Sequence, residues 1–88
     1  MKVANESLIR AISYELNRLG DDADLNHLDV SDVTDFRRAF YNRRFVGDIS
    51  KWDMSNARNT SEMFSHAAVQ VDISNWDVSS VVIAKSMF

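Results

Sequence analysis

Regularly spaced aspartates are the first side chains in this sequence that suggest chemistry. Three of them recur every 24 residues, and each is followed two positions later by a serine: Asp29, Asp53 and Asp77. Stacked on one exposed face, they would form an acidic surface for a basic partner, with Lys51 as a further candidate partner-binding residue. In the structural alternative, these aspartate and serine side chains hydrogen-bond the turn backbone and cap the segment that follows.

A group of arginines forms the second candidate surface. Arg37, Arg38, Arg43 and Arg44 fall within eight residues, among Phe40, Tyr41 and Phe45. Arginines interleaved with aromatic residues can bind phosphates and stack on bases. We favour the alternative, in which the aromatic rings point into the core and the arginines pair with preceding acidic residues. The group is then a docking edge for a protein.

Other catalytic or ligating patterns are missing from the sequence. There is no cysteine, and His27 and His66 are isolated. The run Asp21–Asn26 looks like the start of a calcium loop, but counting from Asp22 the sixth residue is His27 instead of glycine and the twelfth is Val33 instead of glutamate. We therefore predict no metal, no cofactor and no enzymatic activity.

A 24-residue repeat must position these side chains. Segments starting at Leu25, Ile49 and Ile73 share one order of apolar residues, and Met63-Phe64 and Met87-Phe88 hold the same register. This order is the leucine-rich-repeat pattern. Alternating apolar pairs predict short parallel strands, and the segments 34–40 and 60–64 predict helical returns. The predicted fold is a single-domain α/β solenoid, a leucine-rich-repeat stack of repeats 24–47, 48–71 and 72–88.

An amphipathic helix is expected before the repeats. An apolar stripe predicts a helix over residues 5–19 that caps the open end of the stack: Leu8, Ile9, Ile12, Leu16 and Leu19. Asn5 is the expected N-cap and Gly20 the expected C′ residue.

The third repeat has no closing element in this sequence. Its apolar residues would leave an open face, so we predict self-association there, as a homodimer across a two-fold axis. The predicted residues are Trp76, Val78, Val81, Val82, Met87 and Phe88.

The repeats resemble a known family. The residues Ile49–Ala57 followed by Met63-Phe64, and Asp72–Val81 followed by Met87-Phe88, are similar to the BspA-type leucine-rich repeat, whose hallmark is D-I-S-x-W-D-V-S-x-V with a trailing M-F. The resemblance covers residues 24–88, with Leu28 and Ala39 departing from the motif in the first repeat. It implies a repeat scaffold of bacterial surface proteins and lipoproteins, many of which bind host proteins or other cells.

Composition directs the functional prediction towards protein binding. The net charge of −3 does not favour binding to nucleic acid. Because no signal peptide or membrane-spanning run is visible, we expect a cytoplasmic protein. The resemblance to the BspA-type repeat implies the cell surface instead. We predict a non-catalytic module that binds another protein, acting as a small inhibitor of its partner. The alternatives are a nucleic-acid-binding or nucleic-acid-mimicking protein and a bacterial surface adhesion repeat.

Overall fold

The structure, a computed structural model, describes residues 2–88. A single turn of 3-10 helix, Asn5–Ser7, leads into the helix α1, Leu8–Leu19. The strands β1, Arg44–Phe45, and β2, Ala68–Val69, form a parallel pair in which Arg44 lies opposite Ala68 and Phe45 opposite Val69. Most of the remaining described chain consists of turns.

Helix α1 packs through one side. Leu8, Ile12 and Leu16 recur every four residues and are buried, because positions four apart share a helix face. Gly20 ends the helix with a φ of 96°, and its N–H donates to the Leu16 carbonyl. Asn5 is not the N-cap that the sequence predicts, since it lies inside the 3-10 turn and Ser7 precedes the α-helix.

The predicted leucine-rich-repeat solenoid is wrong. The described residues form a compact domain with one α-helix and two strands of two residues each. The segments that were expected to be strands are turns, in which the N–H groups of Leu28 and Trp52 donate to carbonyls only three residues earlier in the chain. Turn residues whose N–H and C=O groups bond locally cannot form the long parallel ladder that the prediction requires.

The helical returns predicted over residues 34–40 and 60–64 are also wrong. Arg38 and Glu62 adopt left-handed φ values of 57° and 54°, which a right-handed helix does not accommodate. Asn42, His66 and Ser86 share this conformation, so left-handed residues recur through the chain. These residues bend the backbone tightly, and the segments become consecutive turns.

The 24-residue spacing nevertheless governs which residues touch. The rings of Phe40 and Phe64 stack with centroids 5.5 Å apart, and those of Phe64 and Phe88 stack at 5.3 Å. The indoles of Trp52 and Trp76 lie nearly parallel with centroids 6.5 Å apart, and both are buried. The two tryptophans are therefore stacked residues of the core.

Candidate functional site

The aspartates of the predicted acidic column each close a turn. The Oδ1 atom of Asp29 accepts hydrogen bonds from the Ser31 N–H at 3.0 Å and the Ser31 hydroxyl at 2.6 Å, and Asp53 makes the same pair of bonds with Ser55. Asp77 accepts the Ser79 N–H at 3.0 Å. The structure thus contains the hydrogen bonds to the turn backbone that the sequence analysis gave as the alternative role of these aspartates.

A second column of aspartates makes equivalent turns, and the sequence prediction did not include it as a site. Asp48 accepts the N–H and hydroxyl of Ser50, and Asp72 accepts those of Ser74. Asp24 accepts the backbone N–H and the side-chain amide of Asn26. We call the two columns together the acidic rows: Asp24, Asp48 and Asp72, and Asp29, Asp53 and Asp77.

Hydrogen bonding lowers the pKa of five aspartates in the acidic rows: Asp29, Asp48, Asp53, Asp72 and Asp77. The Ser31 hydroxyl, followed by the Ser31 N–H, lowers the pKa of Asp29 from 3.8 to about 2. The pKa of Asp53 is also lowered, chiefly by Ser55, although the neighbouring charges of Asp29 and Asp77 oppose the shift. These hydrogen bonds favour the negatively charged forms of Asp29 and Asp53. Part of that charge is neutralised within the chain, because Lys2 lies 3.5 Å from Asp29.

Lys51 lies at the rim of the acidic rows. Its side chain is exposed, its backbone N–H donates to the Asn26 side chain at 2.9 Å, and its charge helps to lower the pKa of Asp48. The residue thus contributes to the electrostatics of the rows.

The four arginines do not form one basic patch. Arg37 pairs with Asp35 at 3.0 Å, and Arg38 pairs with Glu62 at 3.2 Å while lying 4.7 Å from the centre of the Tyr41 ring. The first two arginines share an open depression of about 440 Å³ with both of their carboxylate partners. Since each cation faces an anion there, the depression has no excess of positive charge.

The other two arginines contact the N-terminal part of the domain. Arg43 donates to the hydroxyl of Ser13 on α1 at 2.8 Å, and Arg44 lies 4.0 Å from Asp21. The structure thus divides the arginine group among several local contacts.

The C-terminal turn exposes apolar side chains. Val82 and Phe88 are 74% and 73% exposed, and Val78 is about half exposed. Trp76, which was predicted to lie on the open face, is buried, while Val81 and Met87 are half-buried. We call this surface the C-terminal edge; its exposed side chains are Val78, Val82, Ile83 and Phe88.

Ile83 belongs to this edge and was missed by the sequence prediction. It is half exposed and occupies the position equivalent to Asp35 and Asn59 in the preceding turns. Asp35 and Asn59 each close their turn by accepting an N–H two residues later, whereas isoleucine has no acceptor. The replacement of a polar turn residue by isoleucine at this position was a signal available in the sequence.

A buried carboxylate on α1 was also missed. The Glu15 side chain is 5% exposed and lies 2.8 Å from Arg18 and 3.1 Å from His27. Burial is the largest influence and raises its pKa, but the hydrogen bonds and charges of Arg18 and His27 together leave the pKa lowered. Through its contact with His27, the Glu15 carboxylate joins α1 to the turn that contains His27.

Two kinds of feature are absent from the part of the chain that the structure describes. Among residues 2–88, no group of three or more histidine, cysteine, aspartate or glutamate residues is placed to hold a metal ion. No helix in the same range is long and apolar enough to cross a bilayer.

The chain forms a small domain built mainly from turns. Comparison with known proteins identifies its family. A family model described as "Mycoplasma protein of unknown function, DUF285" matches residues 9–88, so the chain belongs to that bacterial family. No curated protein and no solved structure matches the chain.

Proposed function

We propose that the protein is a non-catalytic module that binds another protein through its C-terminal edge. The observation that carries the proposal is the exposure of four large apolar side chains within residues 78–88, led by Val82 and Phe88. Contiguous exposed apolar surface is costly in water and marks interaction sites in small soluble proteins. A partner that covers the edge would remove this surface from solvent.

The acidic rows support the same function in a secondary role. The aspartates of each row recur every 24 residues, and the charges of Asp29 and Asp77 both act on Asp53. Such a field speeds the encounter with a partner that presents basic residues, and its effect weakens as salt rises. The apolar edge would then hold a partner that the acidic rows help to attract.

A nucleic-acid-binding function is the weaker alternative. Arg37, Arg38 and Arg44 face carboxylates, and the net charge of the chain is −3. A phosphate backbone would have to displace those carboxylates before it could be bound. Nucleic-acid mimicry would use the acidic rows, whose turns already account for the aspartates.

The sequence resemblance to BspA-type repeats suggests two settings for a binding module. A surface protein would bind host proteins or other cells, whereas a cytoplasmic one would act as a small inhibitor of its partner. Antibody labelling of intact and permeabilised bacteria distinguishes these settings, since only a surface protein is labelled in intact cells.

Affinity capture with matched variants tests the function. The bait is the 88-residue chain, compared with Val82→Lys on the C-terminal edge and with the control Tyr14→Lys, which changes an exposed aromatic residue on α1. We expect a partner that binds the wild type and the control, that Val82→Lys loses, and that forms a defined complex with the bait when both are purified. Equal capture by all three baits would contradict the proposal.

A further inference from the structure

We propose that residues 2–5, which we call the strap, open independently of the rest of the domain and uncover a binding site for polypeptide on residues 29–35, the strap site. The site fits a segment with the chemistry of the strap itself: a basic residue, an apolar residue directly after it, and an asparagine three positions after the basic one. This surface is separate from the C-terminal edge, so the inference does not depend on the proposed function.

The Asn5 carboxamide in the strap acts as a backbone carbonyl would. Its Oδ1 atom accepts the N–H groups of Thr34 at 2.9 Å and Asp35 at 3.2 Å, and its Nδ2 atom donates to the Thr34 hydroxyl at 3.0 Å. All three bonds lie at exposed positions. One exposed side chain therefore satisfies two consecutive backbone donors of the strap site.

Backbone carbonyls hold the equivalent pairs of N–H groups later in the chain. The Thr34 carbonyl accepts the N–H groups of Arg58 and Asn59 at 2.8 and 3.2 Å. The Arg58 carbonyl accepts those of Val82 and Ile83 at 2.9 and 3.1 Å. The strap site thus has the donor pair that elsewhere binds an earlier stretch of polypeptide, and the strap fills it with a side chain.

The rest of the strap is held by one buried side chain and by exposed charges. Val3 is 2% exposed, and its N–H donates to the Asp29 carbonyl at 2.9 Å. The Lys2 Nζ atom lies 3.5 Å from Asp29 and 3.4 Å from Asp32, and all three of these side chains are about half exposed or more. Ion pairs at such positions are weak, because water and salt screen them.

This distribution of contacts favours local opening of the strap. Segments with few buried apolar residues and exposed hydrogen bonds open at a lower free energy than the core of a domain. The strap buries only Val3, whereas the helix α1 that follows it buries Leu8, Ile12 and Leu16. Opening therefore ends at the helix, which stays packed on the core.

The groups uncovered by opening specify what binds there. The carboxylates of Asp29 and Asp32 attract a basic side chain, and the Asp29 carbonyl accepts an N–H group. The space that Val3 fills takes a small aliphatic side chain, and the donor pair takes a carboxamide oxygen. Only a polypeptide supplies a cation, an N–H group, an apolar side chain and a carboxamide in this order.

Native-state amide exchange, read by NMR, measures the opening. After correction for intrinsic rates, we expect Thr34 and Asp35 to exchange at least about tenfold faster than Arg58 and Asn59, which make the equivalent bonds to a backbone carbonyl. Equal protection of the two pairs overturns the inference.

A lysine variant tests whether the strap opens as one unit. Lys2→Ala removes a side chain that bonds neither N–H group of Thr34 or Asp35, yet it should speed their exchange by about threefold or more. The control Lys51→Ala removes another exposed lysine and should leave their exchange unchanged. An equal effect of the two variants overturns the inference.

A peptide added in trans tests the strap site. Val3→Asp in the full chain removes the apolar anchor and places a carboxylate beside Asp29, so it should release the strap. The probe is an acetylated peptide with the sequence of residues 2–7, and the control peptide has alanine in place of its lysine and asparagine. We expect saturable chemical-shift changes at Asp29, Thr34 and Asp35, with the control peptide at least about tenfold weaker.

The wild-type protein is the comparison, because its own strap competes at a high effective concentration. Its affinity for the probe should be at least about tenfold lower than that of Val3→Asp. The inference fails if the probe does not saturate Val3→Asp, if both proteins bind it equally, or if the control peptide binds as well. Should circular dichroism show that Val3→Asp is unfolded, Lys2→Ala replaces it, with the same order of affinities expected.

One further variant separates this site from the proposed function. Val82→Lys, which changes the C-terminal edge, should leave the amide exchange of Thr34 and Asp35 unchanged. If affinity capture finds no partner while the strap opens and the probe binds, the proposed function fails and this inference stands. The reverse outcome removes the inference alone.

Discussion

Replacing Gly47 with alanine should strongly destabilise the fold. The added Cβ would overlap the carbonyl oxygen of Ala23 and lie 2.7 and 2.8 Å from two ring atoms of Phe45. Neither neighbour can easily move, because the Ala23 carbonyl accepts the Asp48 N–H at 3.1 Å and the buried Phe45 ring stacks on Phe40 at 4.9 Å. The requirement for glycine here is therefore steric.

The size of the effect follows from two contributions. Overpacking a core costs about 1–3 kcal/mol, and losing the Asp48 hydrogen bond adds about 1 kcal/mol. For a domain of this size, a loss of about 2–4 kcal/mol lowers the Tm by at least about 10 °C.

Thermal unfolding followed by circular dichroism measures this change. The control is Val46→Ala, which alters a partly exposed side chain but keeps the N–H that bonds the Asp21 carbonyl. We expect the control to cost less than about 1 kcal/mol. A Gly47→Ala protein whose Tm lies within about 3 °C of the wild type would refute the packing described around this residue.

Three further predictions concern the hydrogen bonds of the turns and the core. Since the folded pKa of Asp29 is about 2 and its ordinary value is 3.8, its stabilisation is fully present above 3.8 and is lost as the pH falls towards 2. Ser31→Ala should therefore move acid unfolding to higher pH. Thermal melts of both proteins across this pH range measure the change, and the absence of a shift would contradict the hydrogen bond between Asp29 and the Ser31 hydroxyl. Asn5→Ala should lower the free energy of unfolding in urea by about 1 kcal/mol. The reason is that the Asn5 carboxamide oxygen accepts the backbone N–H groups of Thr34 and Asp35 at 2.9 and 3.2 Å. Trp52→Phe should cost about 2–3 kcal/mol, since it removes the indole bond to the Leu25 carbonyl and leaves a cavity; a loss below about 1 kcal/mol would contradict the buried position of the indole.

The helix could be predicted from the sequence because its signal is local. Leu8, Ile12 and Leu16 recur at the helical period and are buried in the structure. The role of Asn5 was not readable in the same way. Its side chain bonds the N–H groups of Thr34 and Asp35, and a partner about thirty residues away leaves no mark on local spacing.

The repeat units were predicted incorrectly because the apolar pattern is compatible with more than one backbone. Arg38 and Glu62 lie in left-handed conformations, which are usually signalled by glycine or asparagine, so the residue types gave no warning. The aspartate-serine pairs did indicate turns, as at Asp29 and Ser31, and that signal prevailed over the alternating apolar residues.

The candidate site was predictable in part. Val82 and Phe88 lie exposed in the last turn, where the sequence leaves apolar residues without a cover. Trp76 is buried because it stacks on Trp52 and donates to the Ile49 carbonyl at 3.0 Å, contacts that depend on the folding of the preceding turn. The dispersal of the arginines likewise depends on tertiary contacts, such as the one between Arg43 and Ser13.

Amide hydrogen exchange of the free monomer, read residue by residue by NMR, tests the central claim most directly. The account predicts slow exchange at Thr60, Glu62 and Phe64, whose N–H groups donate to the following turn. It predicts exchange near the unfolded rate at three residues whose N–H groups donate no backbone hydrogen bond within residues 2–88: Ala84, Ser86 and Phe88. Equal protection of the two sets in the monomer would contradict the hydrogen bonding described between the turns.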